Sequence, residues 1–467
     1  MGKRFGIVVA LLVSAALVVS ACDSGSDSSS DSDDDGGSST LNVPEDYDTI
    51  QAAVDDASEG DLILVDEGVY NEAVTVPTGT DNIVIRGVDR NKVILDGASG
   101  DEDSIEDDLE NGILVVGANG VAVENMTARN YKANGFFWTG VEGYRGSYLT
   151  AYRNGDYGIY AFDSVTGQFD NSLGSGSPDA GFYIGQCYPC DAVVDNVVAE
   201  YNGLGYSGTD AGGNLIISNS TFRNNRAGIV PNSGAYELCY PQRDNIIVGN
   251  SVYDNNYEEG PAISIAETVT YNGIVIGGGF GNTIERNLVY DHDRAGILLT
   301  EFPEDDAVDD VPGPEDRETP CSEYRERPLP DPSEVDNPVI WPAVDNSVVD
   351  NNVTGSGEGD LAMALLDGEP PKGNCFSGNT IETSKPADLE AAAPCDGQGT
   401  GVFDVDPFPI LLLTEPGPPS GDYLDTPEPG DQENMPDAET APAVPATPDN
   451  VPMQIDVDAI TLPTKEG

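Results

Sequence analysis

The chain has 467 residues, with 20 Lys plus Arg against 83 Asp plus Glu and a formal net charge of −63. Such a chain offers no cationic surface whose counterion release could drive binding to phosphates, which excludes nucleic acid as a partner. A single apolar run excludes a multi-span membrane protein, and the many Val/Ile/Leu-rich stretches argue against a wholly disordered chain.

The N-terminus reads as a targeting segment. Lys3 and Arg4 precede an apolar run from Ile7 to Val19, which is too short to span a bilayer. Val19-Ser20-Ala21-Cys22 follows, and it resembles the lipobox of bacterial lipoproteins. The resemblance implies a signal peptide over residues 1–21 and a lipid on Cys22 as the mature N-terminus, holding the protein to a membrane by several acyl chains. Residues 22–40, almost all Ser, Asp and Gly after the Cys, form a self-repelling tether. The expected location is the outer face of the cytoplasmic membrane or the cell surface. Export also makes the remaining six Cys (Cys187, Cys190, Cys239, Cys321, Cys375 and Cys395) disulfide candidates. Cys375 with Cys395, bracketing the end of the folded body, is the preferred pair. Cys187-Tyr-Pro-Cys190 has the spacing of a redox pair or half a zinc site. With one His in the chain and no second C-x-x-C, a structural role is favoured.

The next segment, residues 42–97, contains Thr49-Ile50-Gln51-Ala52-Ala53-Val54, then Gly68-Val69-Tyr70 followed by Glu72, then Ile85-Arg86-Gly87. Asp48 is placed to N-cap a short helix with Ile50, Ala53, Val54 and Ala57 on one side, suited to covering the open end of a sheet stack. Beyond it the chain repeats. Gly135, Gly158 and Gly181 are spaced by 23 residues and precede FFW, IYA and FYI; Gly228 and Gly296 precede IVP and ILL, two and three coils further on, with Gly203 or Gly205 marking the intervening coil. A small polar residue (Asn125, Asn171, Asn196, Asn219, Asn287) ends a Val/Ile-rich strand about nine residues before such a Gly. Three short strands per coil cannot close a core alone, but stacked coils can, with parallel pairing between coils and Asn ladders satisfying the turns. The composition is all-β.

The opening segment and the repeat resemble right-handed parallel β-helix proteins of the pectin-lyase-like superfamily. The resemblance implies a solenoid over residues 41–395 with an N-terminal capping helix. It leaves the chemistry open, because that superfamily holds lyases, hydrolases, esterases, epimerases and non-enzymes. Residues 301–345, rich in Pro and acid, read as an insertion pinned through Cys321; residues 396–467 read as a Pro- and acid-rich tail with one apolar knot, Phe408–Leu413.

Alternation places Phe136, Trp138, Ile159, Ala161, Phe182, Ile184, Ile229, Ile297 and Leu299 inward, and Phe137, Tyr160 and Tyr183 outward in successive coils, followed by Val230 and Leu298. Three outward rings, with Tyr152 and Tyr157 nearby, suit stacking on sugars, unless the insertion or the tail covers them. For uronate elimination the available bases are Arg129, Lys132, Arg145 and Arg153; for hydrolysis the local match is Asp291-His292-Asp293, with His292 aligned to Asn224 at an outward turn between two carboxylates that would raise its pKa. No cofactor is indicated. Calcium is conceivable at Asp101-Glu102-Asp103 or Glu304-Asp305-Asp306, although neither has the spacing of a known calcium loop and a solvated acidic surface is the better reading. The reading that follows is a lipid-anchored, extracytoplasmic protein whose partners are its membrane and a polysaccharide or cell-surface glycan bound on the aromatic face. A polysaccharide lyase or glycoside hydrolase, or a structural or adhesive surface protein, are the alternatives.

Overall fold

The computed structural model describes residues 38–98, 109–304, 313, 317–324, 339–364, 373–401 and 417–465. Cys22 and its signal peptide, most of the tether, Asp101-Glu102-Asp103, Asp305-Asp306 and Phe408–Leu413 lie outside these residues.

The described strands form three parallel sheets of 12, 10 and 11 strands, here sheets 1, 2 and 3, and a separate two-stranded hairpin. Each coil contributes one strand to each sheet in turn, as in Val121–Glu124, Thr127–Arg129 and Asn134–Thr139. Every inter-coil pairing within the three sheets is parallel; for sheet 3 the register runs Ile113↔Phe136↔Ile159↔Phe182↔Tyr206↔Ile229↔Ile274↔Ile297↔Leu361. These inward residues belong to one continuous apolar core. The interval from Gly228 to Gly296 holds two coils rather than three. The register steps from Ala227 to Asn272, and 272 − 227 = 45 residues make one enlarged coil. Its surplus lies in two loops, residues 233–242 and 254–271.

Turns are built from two kinds of residue. Asn125, Asn171, Asn196 and Asn219 take left-handed φ values of +49° to +54°, as Asn tolerates and most L-residues do not. Asn287 belongs to the following position, where a buried ladder runs Asn250, Asn287, Asn351, Asn379. In it each amide oxygen accepts the previous rung's backbone N–H at 2.9–3.0 Å. The Glu390 carboxylate, on the short helix Leu389–Ala392, terminates that ladder by accepting from Asn379 N and Nδ2 at 2.9 and 2.8 Å. A second ladder runs Asn202, Asn225, Asn255.

The helix Ile50–Asp56 closes the other end and buries Ile50, Ala53 and Val54; its N-cap is Thr49, whose hydroxyl accepts from Ala52 N, rather than Asp48. Glu72 Oε1 and Oε2 accept from Ile50 N and Gln51 N at 3.0 and 3.1 Å, so a carboxylate holds the positive end of that helix. Three disulfides join described residues: Cys187–Cys190, Cys239–Cys321 and Cys375–Cys395. The expected Cys375–Cys395 pair and the structural role of Cys187 and Cys190 are both present.

The tail is a strap. From Gly417, whose N–H donates to Glu267 O of the loop 254–271, it passes along the turns between sheets 2 and 3 toward the N-terminal coils. It then turns near Arg86 and returns over the outer face of sheet 1. Guanidinium groups hold its carbonyls: Arg153 donates to Thr426 O (2.7 Å), Arg86 to Ala441 O (2.7 Å), Arg145 to Val444 O (2.6 Å) and Arg286 to Val457 O (2.7 Å). On the return leg Ala446, Val451, Met453 and Ile460 cover Val84, Ala122, Ile216 and Val248.

Candidate functional site

The outward column of sheet 3 reads Leu114, Phe137, Tyr160, Tyr183, Ser207, Val230 across successive coils. Phe137 and Tyr160 stack with centroids 4.2 Å apart and planes within 7°; Tyr157 stacks on Tyr160 at 4.3 Å, and Tyr183 meets Tyr160 edge-on at 5.0 Å. Such offset and edge contacts are the favoured aromatic arrangements. Phe137 and Tyr160 are half-buried while Tyr183 is buried. Among the described residues, no hydrogen bond or ring contact ties Phe137 or Tyr160 to the insertion or the tail. Further along, Val230 and Leu298 are buried by the loop 254–271, through Ala262, Ala266 and Val269.

Where the open ladder meets that loop lies a cavity of about 470 Å³. Its floor is Tyr157, Asp179, Tyr183, Ser207 and Thr209 of the sheet-3 coils; its walls are Tyr236 and Glu237 of the loop 233–242, Ser264, Ile265 and Thr268 of the loop 254–271, and Phe302 with Pro303 of the insertion. The walls therefore come from the surplus residues of the enlarged coil and from the inserted hairpin. Phe302–Glu304 pairs antiparallel with Val339–Trp341. Glu304 Oε2 then accepts from Ala235 N at 2.5 Å and from Trp341 Nε1 at 2.9 Å, and Cys239–Cys321 ties the same loop to the insertion.

The cavity is acidic but largely uncharged. Burial, reinforced by the neighbouring Asp156, pushes the Asp179 carboxyl up to about 8, against a hydrogen bond from Tyr157 that lowers it. Burial pushes Glu237 up to about 8 as well, and Asp156 up to about 6. Taking a carboxylate out of water without a cation favours its neutral form. Tyr183 Oη donates to Glu237 Oε1 at 2.5 Å, while Glu237 Oε2 is buried without a hydrogen-bond partner. The Tyr236 hydroxyl is anchored by Asn232 Nδ2 at 3.0 Å, although its ring is 55 % exposed at the rim. No Lys or Arg is among the described lining residues.

Several sequence expectations are corrected. His292 is 1 % exposed and lies on the inner Asn ladder, its Nε2 3.1 Å from Asn255 Nδ2. Sheet 2 aligns Tyr253 with Tyr290, so His292 matches Asn255 and Asn225, not Asn224; counting back from Gly296 slipped by one residue. Burial lowers its pKa to about 3, the reverse of the expected rise. Asp291 is an exposed left-handed turn residue paired with Lys465 at 3.1 Å, and Asp293 is exposed. The three are not convergent. The candidate bases are equally dispersed. Arg129, on sheet 2, pairs with Asp96 at 2.8 Å and donates to Tyr152 Oη; Arg145, on sheet 1, pairs with Glu124; Arg153 holds the strap; Lys132 is an exposed turn residue. Tyr152 is buried on sheet 2, flanked by Arg129 and Arg153, away from the ladder. Of the five expected ligand contacts, the structure brings together Phe137, Tyr157, Tyr160 and Tyr183. Asp179, Glu237 and Tyr236 carried no sequence motif. Among the described residues, no three His, Cys, Asp or Glu side chains gather to hold a metal ion.

Residues 134–303 match the family described as "Right handed beta helix region". The fold is a right-handed parallel β-helix. No curated protein matches the sequence. Among solved structures, the β-helix is similar to the A-module of a mannuronan C-5 epimerase from Azotobacter vinelandii (15% identity, 72% of this chain and 91% of that one, TM-score 0.45). It is also similar to an alginate lyase from Paenibacillus sp. (13% identity, 73% and 99%, TM-score 0.33) and to a pectate lyase (10% identity, 92% and 96%, TM-score 0.41). At these identities the likeness is one of fold, and the site described above is this chain's own.

Proposed function

We propose that this β-helix binds polysaccharide along the outward face of sheet 3, with Phe137, Tyr160 and Tyr157 as stacking platforms and the end of the glycan seated in the cavity beside Tyr183. The observation that carries the reading is continuity: three contacting rings lead directly into a cavity whose volume is typical of a small-ligand site. The three disulfides suit an exported protein, and Cys22 would carry its lipid anchor.

Isothermal titration of the chain from residue 22 onward, carrying Cys22→Ser so that it stays in solution, against a panel of oligosaccharides tests this. Loss of two platforms in Phe137→Ala with Tyr160→Ala removes roughly 2 kcal/mol, an affinity loss of about 30-fold. Unchanged affinity in that double variant overturns the assignment of the face.

Glycoside hydrolysis is a second reading, favoured by one observation. Asp179 and Glu237 are held protonated at neutral pH, the state a general acid needs to protonate a leaving glycosidic oxygen. Release of reducing ends that ceases in Asp179→Asn or Glu237→Gln supports it; release that persists in both removes it. Elimination from a uronate is disfavoured, because none of Arg129, Lys132, Arg145 and Arg153 lines the cavity.

A further inference from the structure

The chemistry of the cavity goes further than a general preference for glycans. Its titratable carboxyl groups are Asp179 and Glu237, with Asp156 close to Asp179, and Asp210 close to Glu237 and Glu304. Arg243, whose field reaches Asp210, is buried against Tyr188 at 3.6 Å and donates to the carbonyls of Cys239, Pro241 and Thr319. Arg294 lies behind the wall, donating to Thr268 O at 3.5 Å, and is not itself among the described lining residues. The other polar side chains of the lining carry hydroxyls: Ser207, Thr209, Ser264, Thr268 and the tyrosines. Glu237 is half-satisfied: Oε1 takes the Tyr183 proton, and Oε2 is sealed from water with nothing to bond.

We propose that the cavity selects an uncharged sugar unit at a glycan end and rejects uronic acids. The inference rests on the polysaccharide reading above and adds the charge class of the ligand. Two features support it independently. Within the cavity, a ligand carboxylate would be enclosed with buried carboxyl groups and with no Lys or Arg among the described lining residues to pair with, an arrangement that low local polarity makes strongly unfavourable. Around it, a chain of net charge −63 repels a polyanion at long range. The two are separable, because salt screens the second over a few ångströms and leaves buried contacts largely untouched.

The test uses the same Cys22→Ser chain and three ligands of equal length: a neutral xylo- or cello-oligosaccharide, an oligogalacturonate, and that oligogalacturonate after methyl esterification, which removes its charge while keeping its skeleton. Affinities are measured at 50 and 500 mM NaCl. The expected result is binding of a neutral ligand, at least 30-fold weaker binding of the free oligogalacturonate at both salt concentrations, and recovery on esterification. At pH 9, where both carboxyls ionise, Glu237→Gln and Asp179→Asn, each checked for an intact fold by thermal melting, narrow the gap by removing a negative charge. Equal binding of the esterified and free forms overturns the proposal. So does a gap that vanishes at 500 mM salt, which assigns the discrimination to the overall charge rather than the cavity. If no oligosaccharide of either class binds, and Phe137→Ala with Tyr160→Ala changes nothing, the polysaccharide reading itself falls. Binding that depends on Phe137 and Tyr160 but ignores charge leaves that reading intact and sinks only this one.

Discussion

Asp179→Asn removes a buried charge while nearly preserving shape. Asp179 is 6 % exposed, and its pKa stands at about 8 against an ordinary 3.8. Between those values the unfolded chain releases its proton while the folded chain retains it, so raising the pH favours the unfolded state. The loss of stability begins near pH 4 and is complete near pH 8. At about 1.36 kcal/mol per pH unit the interval of about four units sets a ceiling of ~6 kcal/mol. An unfolding entropy of about 2.1 cal/mol/K per residue gives ~0.8 kcal/mol/K for a body of this size, hence a ceiling near 7 °C in melting temperature. Part of the rise belongs to the field of Asp156, which persists in the variant's neighbours, so the expected gain at pH 9 is roughly 3–7 °C. The assay is calorimetric melting of both chains at pH 5 and pH 9 with disulfides oxidised. At pH 5 the two should melt together, because a protonated Asp and an Asn are near isosteres. An Asp179→Asn chain that melts lower than the parent by the same amount at both pH values refutes the reasoning, since it would mean that the carboxylate itself is an accepted part of the fold.

Two further outcomes follow from the packing. Arg86→Met strips three strap carbonyls of their donor and leaves Glu124 with Arg145 alone, so it should cost about 3 kcal/mol in denaturant unfolding and make residues 438–444 the first site of limited proteolysis. His292→Asn should keep stability at pH 7 within about 1 kcal/mol, because Asn fills the equivalent rung in the preceding coils. The parent holds His292 neutral down to about pH 3, so it loses stability as pH falls from 6.5 toward 3 while the unfolded chain takes up a proton; the variant should lose that slope, and a slope that survives the substitution removes His292 as its source.

The coil architecture was legible because it is local and repeated. Gly135, Gly158 and Gly181 announce a register that the sheets reproduce residue for residue, and inward Phe136, Ile159 and Phe182 need only alternation to be placed. The cavity was not legible because it is made where the repeat fails. Reading 68 residues between Gly228 and Gly296 as three coils concealed the fact that they make two, one of them enlarged. The signal was present in Asn272-Gly273-Ile274-Val275-Ile276, which copies the pattern of the other coils and leaves 45 residues for one turn of the solenoid. Recognising that excess would have directed attention to the loop holding Tyr236 and Glu237. The basic side chains misled for a different reason. In so acidic a chain Arg145 and Arg153 read as scarce catalytic groups, whereas they, like Arg86 and Arg286, grip carbonyl oxygens of the tail, a partner with no sequence pattern of its own.

That tail changes how the molecule comes apart. In a solenoid each coil touches only its neighbours, so opening is a sum of nearest-neighbour events that fray inward from either end. Here Arg86 is bonded to Ala441, 355 positions later in the chain, and the same segment continues to Lys465 beside Asp291. The second coil cannot peel away without releasing that segment, and its release uncovers the part of sheet 1 that it covers. A stack that would otherwise loosen by increments is turned into a body with one long-range latch.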